Sequence, residues 1–356
     1  MFETVLVTGA FGLVGSATVR RLAAIDRRVM ATDLGTPANR KAAARLPAGV
    51  EARWVDLTDS AEVNRLVSEV APAAIIHLAA IIPPLIYRNA KLARRVNVNA
   101  TAALVSAAQG QPNPPRFVLA SSTAVYGARN PHRLKDLLRA DTPVRPCDLY
   151  GAHKADAENH VRSSSLEWVV LRLGGVFSVD PGAMSPDLDR LFFESALPTD
   201  GRMHGVDVRD VASALAAATT ADVARETLLI GGDESHHLKH GEAAAALAAA
   251  WGLPGVLPTG RPGNPESDND WFATDWMDTP KAQQALSFQH HSWPDMLAET
   301  RSNAGWKRHP MRLVAPFARR FLTRRAAYYG MPGRYADPWG AIRAKFGEPG
   351  PDTRDS

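Results

Sequence analysis

Tyr150 and Lys154 stand four residues apart in Tyr150-Gly151-Ala152-His153-Lys154, within a stretch patterned as a helix. Residues i and i+4 share a helix face, so the spacing sets a phenol beside an ammonium. An isolated phenol titrates near about pH 10. A neighbouring cation favours the phenolate and brings it toward use as a proton donor and acceptor. Upstream, Phe117-Val118-Leu119-Ala120 reads as a strand running into Ser121-Ser122-Thr123. The carboxyl end of a parallel strand is where open α/β sheets bind ligands, so a hydroxyl there can hold a substrate oxygen beside the tyrosine. Taken alone, Tyr-x-x-x-Lys also describes an ordinary surface pair.

The elements that must position these groups begin at the N-terminus. Val5-Leu6-Val7-Thr8 is an apolar strand pattern, followed by Gly9, Gly12 and Gly15 and then a helical pattern from Val14 to Leu22. A strand that breaks into a glycine turn and then a helix presents backbone N–H groups and a positive dipole end, a site suited to a pyrophosphate. The glycine spacing differs from G-x-G-x-x-G, so the order strand, turn, helix carries the reading. Asp33 ends the second strand pattern, eighteen residues beyond Gly15. A carboxylate there accepts the hydroxyls of an adenosine ribose and repels a 2′-phosphate, which favours NAD over NADP. Arg40 and Lys41 nearby leave room for NADP.

Further strand patterns fall at Ala52–Val55, Ala74–Leu78, Val169–Leu173 and Leu228–Ile230, with helices between. Several are apolar without alternation, as strands covered by helices on both faces are. The predicted fold is α/β, a Rossmann-type doubly wound parallel sheet with a smaller C-terminal substrate-binding lobe. Residues 1–176, with 204–234 returning, are assigned to the sheet domain. Residues 177–203 and 235–310 are assigned to the lobe, and 311–356 to a basic amphipathic extension. Within this scheme Pro181–Pro198 is an irregular excursion with a short helix near Leu188–Phe193, 201–218 is helical, and the chain is disordered beyond Gly347. A single cysteine, Cys147, excludes a disulfide framework. No apolar run reaches a membrane-span length and the first strand starts at once, so a cytoplasmic protein is expected.

The motifs together resemble the extended short-chain dehydrogenase/reductase family, which holds nucleotide-sugar epimerases and dehydratases and related ketone reductases. The residues that carry this are Thr8-Gly9-x-x-Gly12-x-x-Gly15, Asp33, Asp56-Leu57, His77-Leu78-Ala79-Ala80, Asn97-Val98-Asn99-Ala100-Thr101, Ser121 to Gly127 and Tyr150-x-x-x-Lys154. The resemblance implies that Tyr150 is the general acid/base, that Lys154 binds the nicotinamide ribose and lowers the phenol's pKa, and that Ser122, or less favourably Thr123, binds the reacting oxygen. It implies that NAD lies against Gly9, Phe11, Gly12, Leu13, Gly15, Asp33, Asp56, Leu57, Ala79, Ala80 and Asn97, with Tyr150 and Lys154.

Within such a family the substrate side turns on anion partners. No asparagine follows the sixth strand, where Gly174-Gly175-Val176-Phe177 stands, and Met203 takes the place of an expected arginine, with Arg202 one position away. Arg261 remains as a diphosphate candidate. An apolar segment, Ile81-Ile82-Pro83-Pro84-Leu85-Ile86-Tyr87, flanks the nicotinamide end and, with Val176, Phe177, Leu191, Phe192 and Phe193, can line an apolar pocket. The expected activity is therefore NAD-dependent hydride transfer to or from a largely apolar small molecule, with Ile82, Thr123, Gly175 and Val176 at the substrate. Two alternatives stay open: a nucleotide-sugar epimerase or dehydratase recycling a bound NAD, and a non-catalytic NAD-binding regulatory protein. His236, His237, His240, His290 and His291 read as surface histidines, and no metal site is expected.

Lys307 to Arg325 holds seven Lys or Arg and no acid, while the remainder of the chain is net acidic. Residues 316–327 read as an amphipathic helix with Pro316 in its first turn. Docking on the parent domain or a homodimer contact is the favoured use. Peripheral membrane contact is less favoured, and nucleic acid is not expected.

Overall fold

The computed structural model describes residues 3–180 and 187–352. Residues 181–186, the start of the expected excursion, lie outside the described residues. Among the described residues the strands are β1 (Thr4–Thr8), β2 (Arg28–Asp33), β3 (Val50–Trp54), β4 (Ala74–His77), β5 (Arg116–Ser122), β6 (Trp168–Leu173), β7 (Gly175–Phe177), β8 (Arg202–Asp207), β9 (Glu226–Ile230) and β10 (His237–Lys239). Seven form a parallel sheet in the order β3-β2-β1-β4-β5-β6-β9. The order reverses between β1 and β4, whose ends meet at Thr8 and His77. That reversal opens a crevice at the carboxyl ends of the strands. A smaller sheet, β10-β8-β7, stands beside it.

The sheet is covered on both faces because its strands bury both faces. In β1, Val5 and Val7 pack with α1 (Leu13–Ala24) and α8 (Val208–Ala218), whereas Leu6 packs on the opposite side. That opposite side is covered by α3 (Ser60–Val70), α5 (Ala100–Gln109) and α6 (Leu149–Arg162). Each buried aliphatic side chain contributes about 1.5–3 kcal/mol. The remaining helices are α2 (Pro37–Ala43), α4 (Ala90–Arg94), α7 (Leu188–Ala196), α9 (His240–Ala250), α10 (Pro280–Leu286), α11 (Trp293–Ala304), α12 (Arg308–Thr323) and α13 (Pro338–Phe346). Between α4 and α5 the helix widens into a π-turn at Arg95–Asn99.

Three local expectations are corrected. The stretch from Gly201 to Ala218 begins as strand: Arg202–Asp207 pairs between β7 and β10 before the helix begins. The basic helix starts at Arg308 and carries Pro316 in its interior, not its first turn. The chain also stays ordered past Gly347. The Pro349 carbonyl accepts from Leu149 N–H at 2.8 Å, and Arg94 grips both Asp352 oxygens at 3.0 and 2.9 Å. Residues 353–356 lie outside the described residues.

Candidate active site

The glycine turn after β1 has three glycines with three different constraints. Gly9 has φ +65, and a Cβ there would lie 2.7 Å from the Ala79 backbone nitrogen. At Gly15 a Cβ would come 2.1 Å from the Gly9 oxygen, so glycine is required for α1 to pack on the strand it follows. A Cβ at Gly12 would meet only the Gly9 oxygen, at an ordinary 3.5 Å. The protein's own packing therefore leaves Gly12 open, as a cradle does for a group that rests on the turn. No side chain caps α1 at Gly12, so its first-turn N–H groups face that cradle without a side-chain acceptor.

At the end of β2, Asp33 accepts from Phe11 N–H at 3.2 Å and Leu34 N–H at 2.8 Å. Its carboxylate is thus tied to the glycine turn itself. Phe11 stacks on Trp54, with ring centroids 5.4 Å apart, and Arg40 lies over the Trp54 ring at 5.1 Å while donating to the Gly35 carbonyl. Asp56 accepts from Thr58, and Leu57 is buried against α3.

A buried chain of hydrogen bonds joins β1, β4 and α5 at the reversal point. Thr101 donates to the Asn97 carbonyl at 2.9 Å, so its oxygen accepts from His77 Nε2–H at 2.9 Å. His77 Nδ1 then accepts from the Thr8 hydroxyl at 2.7 Å. This assignment needs a neutral imidazole, and burial, with the Lys154 charge adding, lowers its pKa to about 3. Asn97 clasps Ile81 through both its amide oxygen (2.7 Å) and nitrogen (2.8 Å). The segment past Ala79 and Ala80 is thereby fixed, and the π-turn puts the Asn97 side chain where it can reach.

Across the crevice, α6 begins where Asp148 accepts from Tyr150 N–H (3.3 Å) and Gly151 N–H (3.0 Å). A Cβ at Gly151 would lie 2.3 Å from the Ala124 oxygen. Its absence lets the helix close on the turn after β5 and brings the Tyr150 phenol near Ser122. Burial pushes the phenol's pKa up, the Ser122 hydroxyl pulls it down, and the Asp148 charge adds to the rise. Lys154, buried, donates Nζ to the Ala120 carbonyl at 2.7 Å and lies 5.8 Å from the Tyr150 ring centroid. Its own pKa is lowered to about 8 by burial, against the pull of Glu158. In the chain alone, without cofactor, burial sets the direction of the phenol's shift.

Several supporting residues escaped the sequence reading. Tyr87 donates to Asp148 Oδ2 at 2.7 Å. Glu158 accepts from Ser121 (2.6 Å) and from Arg172 Nε and Nη2 (2.9 and 2.7 Å), all buried beneath the site. An aspartate two positions before Tyr150 at a helix start was a readable N-cap signal; the buried Arg172–Glu158 pair joins a strand to a helix and left no local mark.

Tyr150 packs with Ile81, Ile86, Tyr87, Phe192, Phe193 and Phe272, and α13 adds Trp339, Ile342 and Phe346. A cavity of about 730 Å³ is lined by Gly175, Val176, Phe177, Leu191, Met203 and others. Phe193 and Phe272 belong both to its lining and to the tyrosine's cluster, whereas Tyr150 and Ser122 do not line it. Ile82 is 55% exposed and Thr123 is buried; neither lines the cavity. Arg202 is buried, paired with Asp275 at 3.4 Å and laid over Trp276. Arg261 gives its donors to the carbonyls of Met331, Pro332 and Tyr335 and stacks on Tyr328. The histidines are also not a surface set: His236 is fully buried between Asp233 and Met296, and His291 bonds Asp210 at 2.6 Å.

Residues 5–231, from β1 through the end of the parallel sheet, match the NAD dependent epimerase/dehydratase family. The chain is 31% identical over 191 residues to a D-erythronate dehydrogenase of Cupriavidus necator, covering 50% of this chain and 56% of that protein. It spans about half the length of the first curated relatives it matches. A methionine adenosyltransferase 2 subunit beta from Pongo abelii is 28% identical over 292 residues, covering 74% and 80% of the two chains. Among solved structures, a Thermus thermophilus UDP-glucose 4-epimerase in complex with NAD superimposes with TM-score 0.67 at 25% identity, covering 85% of this chain and 98% of that one. With the glycine turn, the reversal point and the Ser–Tyr–Lys arrangement all falling inside the matched residues, the chain belongs to the NAD dependent epimerase/dehydratase family.

Proposed function

We propose that the protein is an NAD-dependent dehydrogenase or ketone reductase of the extended short-chain type, acting on a carbinol or carbonyl of a largely apolar small molecule. The observation that carries the reading is the phenol of Tyr150, near enough to the Ser122 hydroxyl for its pKa to be lowered by it, beside buried Lys154, at the carboxyl end of the sheet that also carries the glycine turn. NAD fits the residues present: the Gly12 cradle is open, and Asp33, fixed by Phe11 N–H, offers a carboxylate at the ribose position. When bound, the cofactor would supply the hydride chemistry, NAD accepting a hydride in alcohol oxidation and NADH donating one in carbonyl reduction.

The chain's own groups have definable tasks. Ser122 Oγ, which accepts from Ala124 N–H at 3.2 Å, keeps its hydroxyl proton free to donate to a substrate oxygen. Tyr150 holds its proton in the free chain, because burial disfavours the phenolate. In carbonyl reduction it gives that proton to the substrate oxygen, and in alcohol oxidation it receives one. Lys154 keeps the strand and helix together through the Ala120 carbonyl and places positive charge beneath the phenol. The apolar cluster around Tyr150 keeps water from competing for the proton.

The substrate side of the proposal rests on two arginines. Arg202, buried against Asp275, and Arg261, half-buried on backbone carbonyls, are the diphosphate candidates of the sequence and are already engaged. The cavity's own cations, Arg190 and Lys239, face Glu194 and Glu242, so a desolvated diphosphate competes with partners already in place. Residues 177–203 and 235–310 form the substrate-side lobe in this reading. The dehydrogenase name of the Cupriavidus relative supports a cofactor that leaves after each turnover. Likeness to an NAD-bound epimerase favours a second reading, a retained and recycled cofactor.

The test begins with protein purified without nucleotide and denatured to quantify released NAD(H). Little release, together with NADH oxidation on a panel of hydrophobic ketones that Tyr150→Phe abolishes at unchanged NADH affinity, is the expected result. Near one NAD per chain, with turnover of a UDP-sugar only, overturns the reading in favour of the epimerase. Cofactor binding with no turnover of any carbonyl favours a non-catalytic role.

A further inference from the structure

The basic helix α12 carries its apolar residues on the outside. Only Ala315 of its sixteen residues is buried. Leu313 and Phe317 are each 77% exposed, Val314 and Phe321 are also exposed, and Trp306 in the turn before the helix is 74% exposed. Spaced at 306, 313, 314, 317 and 321, these side chains fall on one helical stripe. Arg320 and Arg324 flank the stripe on one side and Lys307 and Arg325 on the other, while Arg312 and Arg319 lie further round, toward the face of buried Ala315. Of the two favoured uses, a parent-domain dock or a homodimer contact, the first is corrected: the apolar face does not lie on the parent domain.

The helix is nonetheless held at both ends. At its start, Gly252 leaves room for the Arg308 backbone, where a Cβ would lie 2.5 Å from its oxygen. After its end, Ala327 N–H donates to Ser195 Oγ at 2.9 Å and the Tyr328 hydroxyl donates to the Ala196 carbonyl at 2.7 Å, both on α7. An anchored helix with an outward apolar stripe between cations is shaped to lie in the plane of a bilayer surface. Among the described residues no helix is long and apolar enough to cross a membrane.

We propose that α12 docks the protein on an anionic lipid surface, with Leu313, Phe317 and Phe321 entering the interface and the arginines meeting the headgroups. Charge decides among occupants. The segment Lys307–Arg325 has seven cations and no acid, so a second copy placed on the same stripe about a twofold axis brings cations against cations. An anionic bilayer complements both the apolar stripe and its flanks. Because the turn after α12 rests on α7, which lines the cavity, docking also brings the substrate side near the lipid.

The experiment is co-sedimentation of the full chain, loaded with NAD, with vesicles of phosphatidylcholine alone or mixed equally with phosphatidylglycerol. Partition into the anionic vesicles is expected, weakening with salt, and absent from the neutral ones. Arg320→Gln with Arg324→Gln should weaken it roughly 25-fold, about fivefold per cation, and Leu313→Glu with Phe317→Glu should abolish it. Both pairs are on exposed positions, so circular dichroism and thermal unfolding should match the parent chain. No partition, or equal partition into neutral vesicles, overturns the proposal. So does a concentration-dependent dimer that Leu313→Glu with Phe317→Glu dissolves while the parent chain ignores lipid.

Discussion

Replacing each glycine of the turn after β1 by alanine separates fold from ligand. At Gly9 the φ of +65 costs an alanine about 1–2 kcal/mol, and the 2.7 Å approach to Ala79 adds strain. At Gly15 the 2.1 Å overlap with the Gly9 oxygen forces α1 off the strand, an overpacking cost of about 1–3 kcal/mol or more. Gly12 differs: its φ of −70 and ψ of 176 suit any residue, and its nearest neighbour is at 3.5 Å. Gly12→Ala should therefore change stability by no more than about 0.5 kcal/mol, mostly from the weaker cap. If a pyrophosphate lies on that cradle, the added methyl meets it and costs about 1–3 kcal/mol of binding, roughly a 5- to 150-fold loss of NAD affinity. Thermal unfolding with and without NAD, beside a calorimetric titration, reads both quantities. Gly12→Ala with unchanged NAD affinity refutes the cradle; Gly12→Ala that melts as low as Gly15→Ala refutes the claim that the position is open.

Three further outcomes follow from buried groups. His77 and His204, each lowered to about 3, and His240, lowered to about 4, are neutral in the fold chiefly because burial disfavours the imidazolium. The unfolded chain binds more protons below its ordinary histidine pKa, so stability falls as pH drops from 6.5 toward 3. His77 alone accounts for roughly 2 kcal/mol at about pH 5, and His77→Gln should flatten that slope in urea titrations; an unchanged slope refutes it. Glu158→Gln leaves Arg172 buried without its counter-ion and should cost about 3–5 kcal/mol by chemical denaturation, with a loss under about 1 kcal/mol counting against the network. Asp352→Ala removes the Arg94 pair and the His153 contact at 3.2 Å and should lower stability by about 1–2 kcal/mol, measurable as a lower denaturant midpoint; an unmoved midpoint means the chain end is not held there.

Much of the sheet domain was legible because its rules are local. Unbroken apolar runs mark strands buried on both faces, and Gly9, Gly12 and Gly15 mark a turn by what they lack. The Tyr150 and Lys154 spacing was readable for the same reason, since four residues on a helix fix a shared face. What could not be read depends on residues distant in sequence. Arg202–Asp207 looked helical because its strand character comes from pairing with β7 and β10 on either side. The outward stripe of α12 was invisible because a hydrophobic periodicity tells that one face differs, never which face meets solvent. A further partner of the lysine was equally hidden: the Ala120 carbonyl that takes its ammonium is a backbone group thirty-four residues away.

The reach of α13 has a consequence for how the site comes into being. The cluster around Tyr150 takes Trp339, Ile342 and Phe346 from this helix, and the first amide of α6 is satisfied by the Pro349 carbonyl. During synthesis the parallel sheet, complete by Ile230, can assemble while well over a hundred residues are still to be translated. A nascent chain at that stage holds its turn, its strands and its Tyr–Lys pair, yet lacks Phe272, Trp339, Ile342 and Phe346 of the apolar cluster against which the tyrosine packs. The apolar cover of the site is thus completed by residues made well after the sheet that positions the tyrosine can form.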